Sequence, residues 1–193
     1  TVRQASTHLF QPEEAYRIPG PLGIGGGRGA SGGANPPGGV VISYLLKDKP
    51  KEELTLEILD AAGKNIKKFS SKGEQKIAEL LPPDLPAEER ARALDASKAP
   101  ADAGFNRFVW DMRHPDATGF RGLIYWAGSN RGPLASPGNY QVKLTVDGQP
   151  AGTQPFVLKK DPRVPATQED FDKQLLLSLQ IRDKVTQANE AVI

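Results

Sequence analysis

The stretch "GNYQVKLTVDG", residues 138–148, alternates apolar and polar side chains without a break. Tyr140, Val142, Leu144 and Val146 share one side, and Gln141, Lys143 and Thr145 the other. Successive side chains of a strand point to opposite faces, so the pattern predicts a half-buried strand and excludes a helical stripe. Asp147-Gly148 is a strong short-range hairpin signal, and "TQPFVLKKD" returns as the partner with Phe156 and Leu158 inward. Such a hairpin commits its chain to an antiparallel sheet with one covered face.

The same period recurs elsewhere. Val40 to Asp48 places Val40, Ile42, Tyr44 and Leu46 on one face. Leu54, Leu56 and Ile58 do likewise, opposite Thr55 and Glu57, before a turn at Asp60-Ala61-Ala62-Gly63 and a return from Asn65 to Phe69. Residues Ser71 to Gly104 break the pattern and read as an excursion carrying one short helix from Pro86 to about Leu94, with proline in the first turn. Strands resume at Phe105 to Arg113, with Phe108 and Trp110 in the core, and a further strand is expected at Gly122 to Gly128. Strands in succession with almost no helix between them predict an antiparallel β-sandwich. The expected organisation is an extended arm and linker over 1–39, the sandwich over 40–160 with an insertion at 71–104, and a C-terminal helix within 161–193. Phe10, Tyr16 and Ile18 lie in an arm too interrupted by proline for a good strand, so the arm is expected to lie along the sandwich.

The tail changes period. Thr167 followed by Asp170 resembles a capping box. Phe171, Leu175, Leu177, Ile181, Val185, Ala188 and Val192 then recur at helical spacing. A helix of about 25 residues spans nearly 40 Å, about twice a sandwich strand of roughly 20 Å. Phe171, Leu175 and Leu179 can pack back on the sandwich or the arm. Ile181, Val185, Ala188 and Val192 then need another surface, which a second helix beyond Ile193 or self-association would supply. A frayed end is the alternative, because isolated helices are marginal.

One stretch imitates a nucleotide site. Gly27-Arg28-Gly29-Ala30-Ser31-Gly32 matches G-x-G-x-x-G letter for letter. That pattern cradles a pyrophosphate only between a strand and a helix. Pro19 and Pro21 interrupt what precedes it, Pro36 and Pro37 forbid a helix after it, and no Walker lysine follows. It reads as a flexible linker.

Composition narrows the chemistry further. A net charge of +2 gives no strong attraction for nucleic acid, and no apolar run is long enough to span a membrane. The lack of cysteine removes disulfides, thiolate catalysis and cysteine-ligated metals. His8 and His114 lie far apart with no triad or zinc partners at workable spacing, and read as surface or capping residues. Asp111 and Asp116 bracket a loop of the kind that sometimes holds calcium, though no dense acidic run accompanies them. Asp102 and Asp161 show no pairing that would mark glycosidase acids. Tyr125 and Trp126 have two readings, stacking on a sugar ring or filling the core. Adjacent in a strand, they would face opposite ways, so at most one is expected to be exposed. Core packing is the preferred reading. No catalytic residue, metal site or cofactor is assigned.

Two resemblances follow from longer segments. "FNRFVWDMRHPDATG" and "SPGNYQVKLTVDG" resemble the closing half of the immunoglobulin-like domain of flagellar hook-capping proteins, through Trp110-Asp111 and Pro137-Gly138-Asn139-Tyr140. The loop between them is longer than that family's and contains "RGLIYWAGSNRGP". More broadly, "HLFQPEEAYR", "NPPGGVVISYLLKD", "GFNRFVWDMRHP" and "KKDPRVPATQEDF" resemble the C-terminal region of bacterial BNR-repeat glycosyl hydrolase-like or sortilin-like proteins. The resemblance implies an immunoglobulin-like sandwich lying downstream of a secreted or periplasmic β-propeller, with the chain a piece of that longer protein. The propeller pattern S-x-D-x-G-x-T-W is absent, so that family's catalytic residues have no counterpart here. The implied role is a non-catalytic accessory module that packs on its own upstream propeller or on another protein. Carbohydrate binding and a glycosidase with acidic catalytic residues are the alternatives.

Overall fold

A computed structural model describes residues 6–18, 38–73, 86–96, 98–123, 125–126 and 128–192. The predicted alternation is realised. β3 (Val40–Leu46) and β4 (Leu54–Asp60) bury Val40, Ile42, Tyr44, Leu46, Leu54, Leu56 and Ile58. β5 is Asn65–Ser70, and a short helix α1, Ala87–Ala96, occupies the excursion before β6, Gly104–Trp110. β7 (Gly138–Val146) and β8 (Gln149–Lys160) form the predicted hairpin. Asp147 and Gly148 both take positive φ, at 49° and 76°, the pairing that a two-residue turn of matching twist requires. The Asp147 carboxylate also accepts the backbone N–H groups of Glu52 and Lys51, which hold its pKa below the usual value and tie the hairpin tip to the β3–β4 connection.

The arm departs from expectation. It supplies β1 (Thr7–Leu9) and β2 (Ala15–Arg17), so it enters the sheets rather than lying along them. The strands are short because Pro12, itself buried, sits where the chain crosses from one sheet to the other. One sheet has the order β1-β3-β6 and the other β2-β8-β7-β4-β5. This is the strand order of an immunoglobulin-like sandwich. Pairing is antiparallel except between β2 and β8, which run parallel. The glycine-rich motif at 27–32 lies outside the described residues, and so does the segment 74–85.

Between the sheets, Ile42, Tyr44, Leu56, Ile58, Trp110 and Leu144 are 0 % exposed. Trp110, Tyr140 and Phe156 cluster with ring centroids 5.7–6.1 Å apart at one end of this core. Trp110 Nε1–H finds a partner in the Arg113 carbonyl at 3.0 Å, as a buried indole must.

Candidate functional site

The chain leaves β6 after Trp110 and rejoins the sheet at Gly138, and the loop between them folds back on itself. Met112 takes a left-handed φ of 59° and turns the chain out of β6. The two limbs then run antiparallel. His114 N–H donates to Pro133 O at 2.9 Å, Ala117 N–H to Asn130 O at 2.8 Å, and Ala135 N–H to Met112 O at 2.7 Å. Gly132 permits the close approach, since a Cβ there would collide with the carbonyl oxygens of His114 and Pro115.

Helix α2, Gln168–Glu190, lies against this loop. Its start is the predicted capping box, with Thr167 Oγ1 accepting from Asp170 N–H and Asp170 accepting from Thr167 N–H. At the base of the loop Gln168 Nε2 donates to Pro137 O at 2.9 Å and Ser136 Oγ to Phe171 O at 3.1 Å. Further along, Thr118 N–H donates to Thr186 Oγ1 at 3.1 Å, and Asn189 Nδ2 to Thr118 O at 2.7 Å. The arm holds the other flank: Arg17 lies 4.7 Å over the Phe171 ring and donates to Gln174 Oε1. The helix is therefore pinned from its first turn to Asn189, which is buried. Docking, rather than a frayed end, is what the described residues show. Of the stripe expected to need another surface, Val185 is half-buried against the loop, while Ile181 and Val192 are 56 % and 70 % exposed.

Neither Tyr125 nor Trp126 fills the core. The described residues of 122–128 form no strand, so the expectation that the two face opposite ways does not apply. Trp126 is 98 % exposed and Tyr125 38 %. The Tyr125 hydroxyl accepts from Asn189 Nδ2 at 3.3 Å, which makes it a link to α2.

The carboxylates singled out in the sequence are engaged structurally. Asp111 accepts the Arg113 N–H at 3.2 Å and lies 3.5 Å from Arg131 Nη2, while Asp116 accepts the Gly132 N–H at 2.7 Å. Asp161 is buried and bound two-pronged by Arg163, whose hydrogen bonds hold its pKa below the usual carboxylate value. Asp102, on the surface, lies 3.6 Å from Lys49. Among the described residues no group of three or more His, Asp or Glu side chains could hold a metal. His114 is packed neutral: burial pulls its pKa down to about 4, and the charges of Arg182, Lys67 and Lys64 push the same way against Asp60. Its Nε2 is buried with no hydrogen-bond partner.

Loop and helix enclose a cleft of about 250 Å³ that sequence reasoning missed. Arg113, Arg131 and Arg182 edge it, and Ala117, Ile181 and Val185 supply apolar lining. Arg113 donates to Gly132 O at 2.7 Å, and burial, then the charge of Arg131, lowers its pKa. Three arginines spread over 113–182 leave no local motif: the folded loop brings Arg113 and Arg131 together, and the docking of α2 adds Arg182. The cleft suits an apolar group beside guanidinium donors and contains no nucleophile–base pair.

No family model matches the chain, and no curated protein matches it. Among solved structures it is similar to CopC from Methylosinus trichosporium OB3b, at 14% identity over 64% of this chain and 79% of that one, with a TM-score of 0.29. It is also similar to the Pseudomonas fluorescens alkylpurine DNA glycosylase AlkC bound to DNA containing an abasic site analogue. There the identity is 13% over 80% of this chain and 31% of that one, with a TM-score of 0.26. Likenesses this slight carry no argument about function.

Proposed function

We propose that this chain is a non-catalytic accessory module from the C-terminal part of a larger secreted or periplasmic β-propeller protein of the glycosyl hydrolase-like or sortilin-like kind. Its role is to pack against its own propeller or another protein. The observation that carries this reading is the outer side of α2. Leu176 and Leu177 are 60 % and 58 % exposed on a helix whose other side is hydrogen-bonded to the loop. Clustered apolar side chains in water mark a contact surface more often than an accident of composition. The segment resemblances noted above support the placement downstream of a propeller.

The test is turnover. The full chain, incubated with a panel of aryl glycosides, is expected to release no aglycone. Hydrolysis abolished by Asp111→Asn or Asp116→Asn would replace the module by a glycosidase.

A second reading has its own observation. Trp126, 98 % exposed near Tyr125, offers a bare indole face on which a sugar ring can stack. Glycan-array binding lost in Trp126→Ala, with the fold intact, would establish a carbohydrate-binding module instead.

A further inference from the structure

The two outer faces of the sandwich are built on different rules. On the five-stranded sheet the outward positions include Glu57, Gln141, Lys143 and Thr145, with Lys143 Nζ 3.1 Å from Glu57. That is the polar exterior expected where one face of an antiparallel sheet meets water. On the three-stranded sheet the outward cross-strand pairs are Val41 with Val109, Ser43 with Arg107, and Leu45 with Phe105. Four of those six side chains are apolar, and Phe105 is 65 % exposed. The face continues onto the arm, where Phe10 lies 4.6 Å from His8 and 6.1 Å from Phe105 between ring centroids. Arg107 stands exposed in the middle row, and its guanidinium makes no hydrogen bond or ion pair among the described residues.

We infer that this outer face of the β1-β3-β6 sheet docks a protein partner presenting apolar side chains around one carboxylate, which seats opposite Arg107. The inference rests on the reading of the chain as a packing module and names the face and its complement. Covering the face desolvates the guanidinium, which is costly unless a carboxylate meets it, and the arginine fork matches a carboxylate in two-pronged geometry. A second copy of this chain is a poor occupant: a twofold contact centred on the face sets Arg107 against its own counterpart, like charge on like. A sugar is also a poor occupant, because the rings are inclined to each other by 80° and 52° and form no coplanar platform.

Two disulfide-closed β-hairpin peptides test it, each with valines on one face, around a central glutamate in one and a central lysine in the other. They are titrated into the 15N-labelled full chain and followed by amide chemical shifts. Shifts should concentrate on β1, β3 and β6, with the glutamate hairpin bound about tenfold more tightly than the lysine one. Arg107→Glu should reverse that preference, and Phe105→Ser should weaken both hairpins. Both side chains are exposed, so near-UV circular dichroism should stay wild-type. Equal binding of the two hairpins, shifts centred elsewhere, or no shift at millimolar peptide overturns the inference. So does cellohexaose producing the shifts in place of the hairpins. Glycoside turnover would sink the module reading whatever the hairpins do, so the two failures are distinguishable.

Discussion

The Tyr140 hydroxyl donates to the carbonyl of Ser136, four residues upstream, at 2.5 Å, and the same Ser136 donates through its Oγ to the carbonyl of Phe171 in α2. The first bond is a tyrosine corner, the device by which immunoglobulin-like sandwiches fix the approach to this strand. Burial raises the hydroxyl's pKa to about 12, so it stays a donor across the stable range. One serine thus joins the sandwich corner to the helix.

Removing the hydroxyl tests the corner. Tyr140→Phe keeps the ring stack on Phe156 but strands the Ser136 carbonyl. Loss of about 1–3 kcal/mol is expected in urea denaturation, with an unchanged m-value. A variant as stable as the wild type would show that the bond is idle.

Gly132→Ala should be more costly than a surface glycine substitution, because the new Cβ meets the His114 and Pro115 carbonyls. The limbs of the loop must separate, and a loss of about 2–4 kcal/mol is expected in the same denaturation experiment. Gly148→Ala, at a positive φ with open space around the Cβ site, should cost only about 1 kcal/mol.

His114 sets a pH window. Its folded pKa of about 4 lies below the ordinary 6.5, so between those values the unfolded chain binds a proton that the folded chain excludes. Stability is therefore complete above pH 6.5 and falls as the pH drops toward 4, by on the order of 1–3 kcal/mol. The midpoint of thermal unfolding should fall between pH 7 and pH 5, and His114→Gln should flatten that slope. An unchanged slope in the variant would assign the effect to other groups.

Asn189→Ala removes the donor to Thr118 O and Tyr125 OH. Amide exchange should quicken across 182–190 while the β7–β8 amides keep their protection. Uniform quickening would mean that helix and sandwich unfold together.

The C-terminal helix shows where legibility ended. Thr167 and Asp170 announced its start, because a capping box is a contact between residues three apart. Phe171, Leu175 and Leu179, expected to pack, are half-buried, whereas Leu177 of the same periodic stripe is 58 % exposed. Periodicity locates a stripe but not the partner that covers part of it. Similarly, "VVISYLL" reads as one inward row, whereas its nearly continuous apolar run already held the second, outward row of Val41 and Leu45.

By itself the sequence determined the elements whose signals are local: the alternating strands, the Asp147-Gly148 turn, the helix cap, and a core of Ile42, Leu56, Trp110, Tyr140 and Leu144. These follow from backbone sterics and a period of two, which act within a few residues. Tertiary structure alone decided that the arm pairs as β1 and β2, and that Tyr125 and Trp126 leave the core. It alone brought Arg113, Arg131 and Arg182 to one cleft. Those outcomes depend on groups far apart in the chain, whose meeting is set by which surfaces remain to be buried once the sheets have formed.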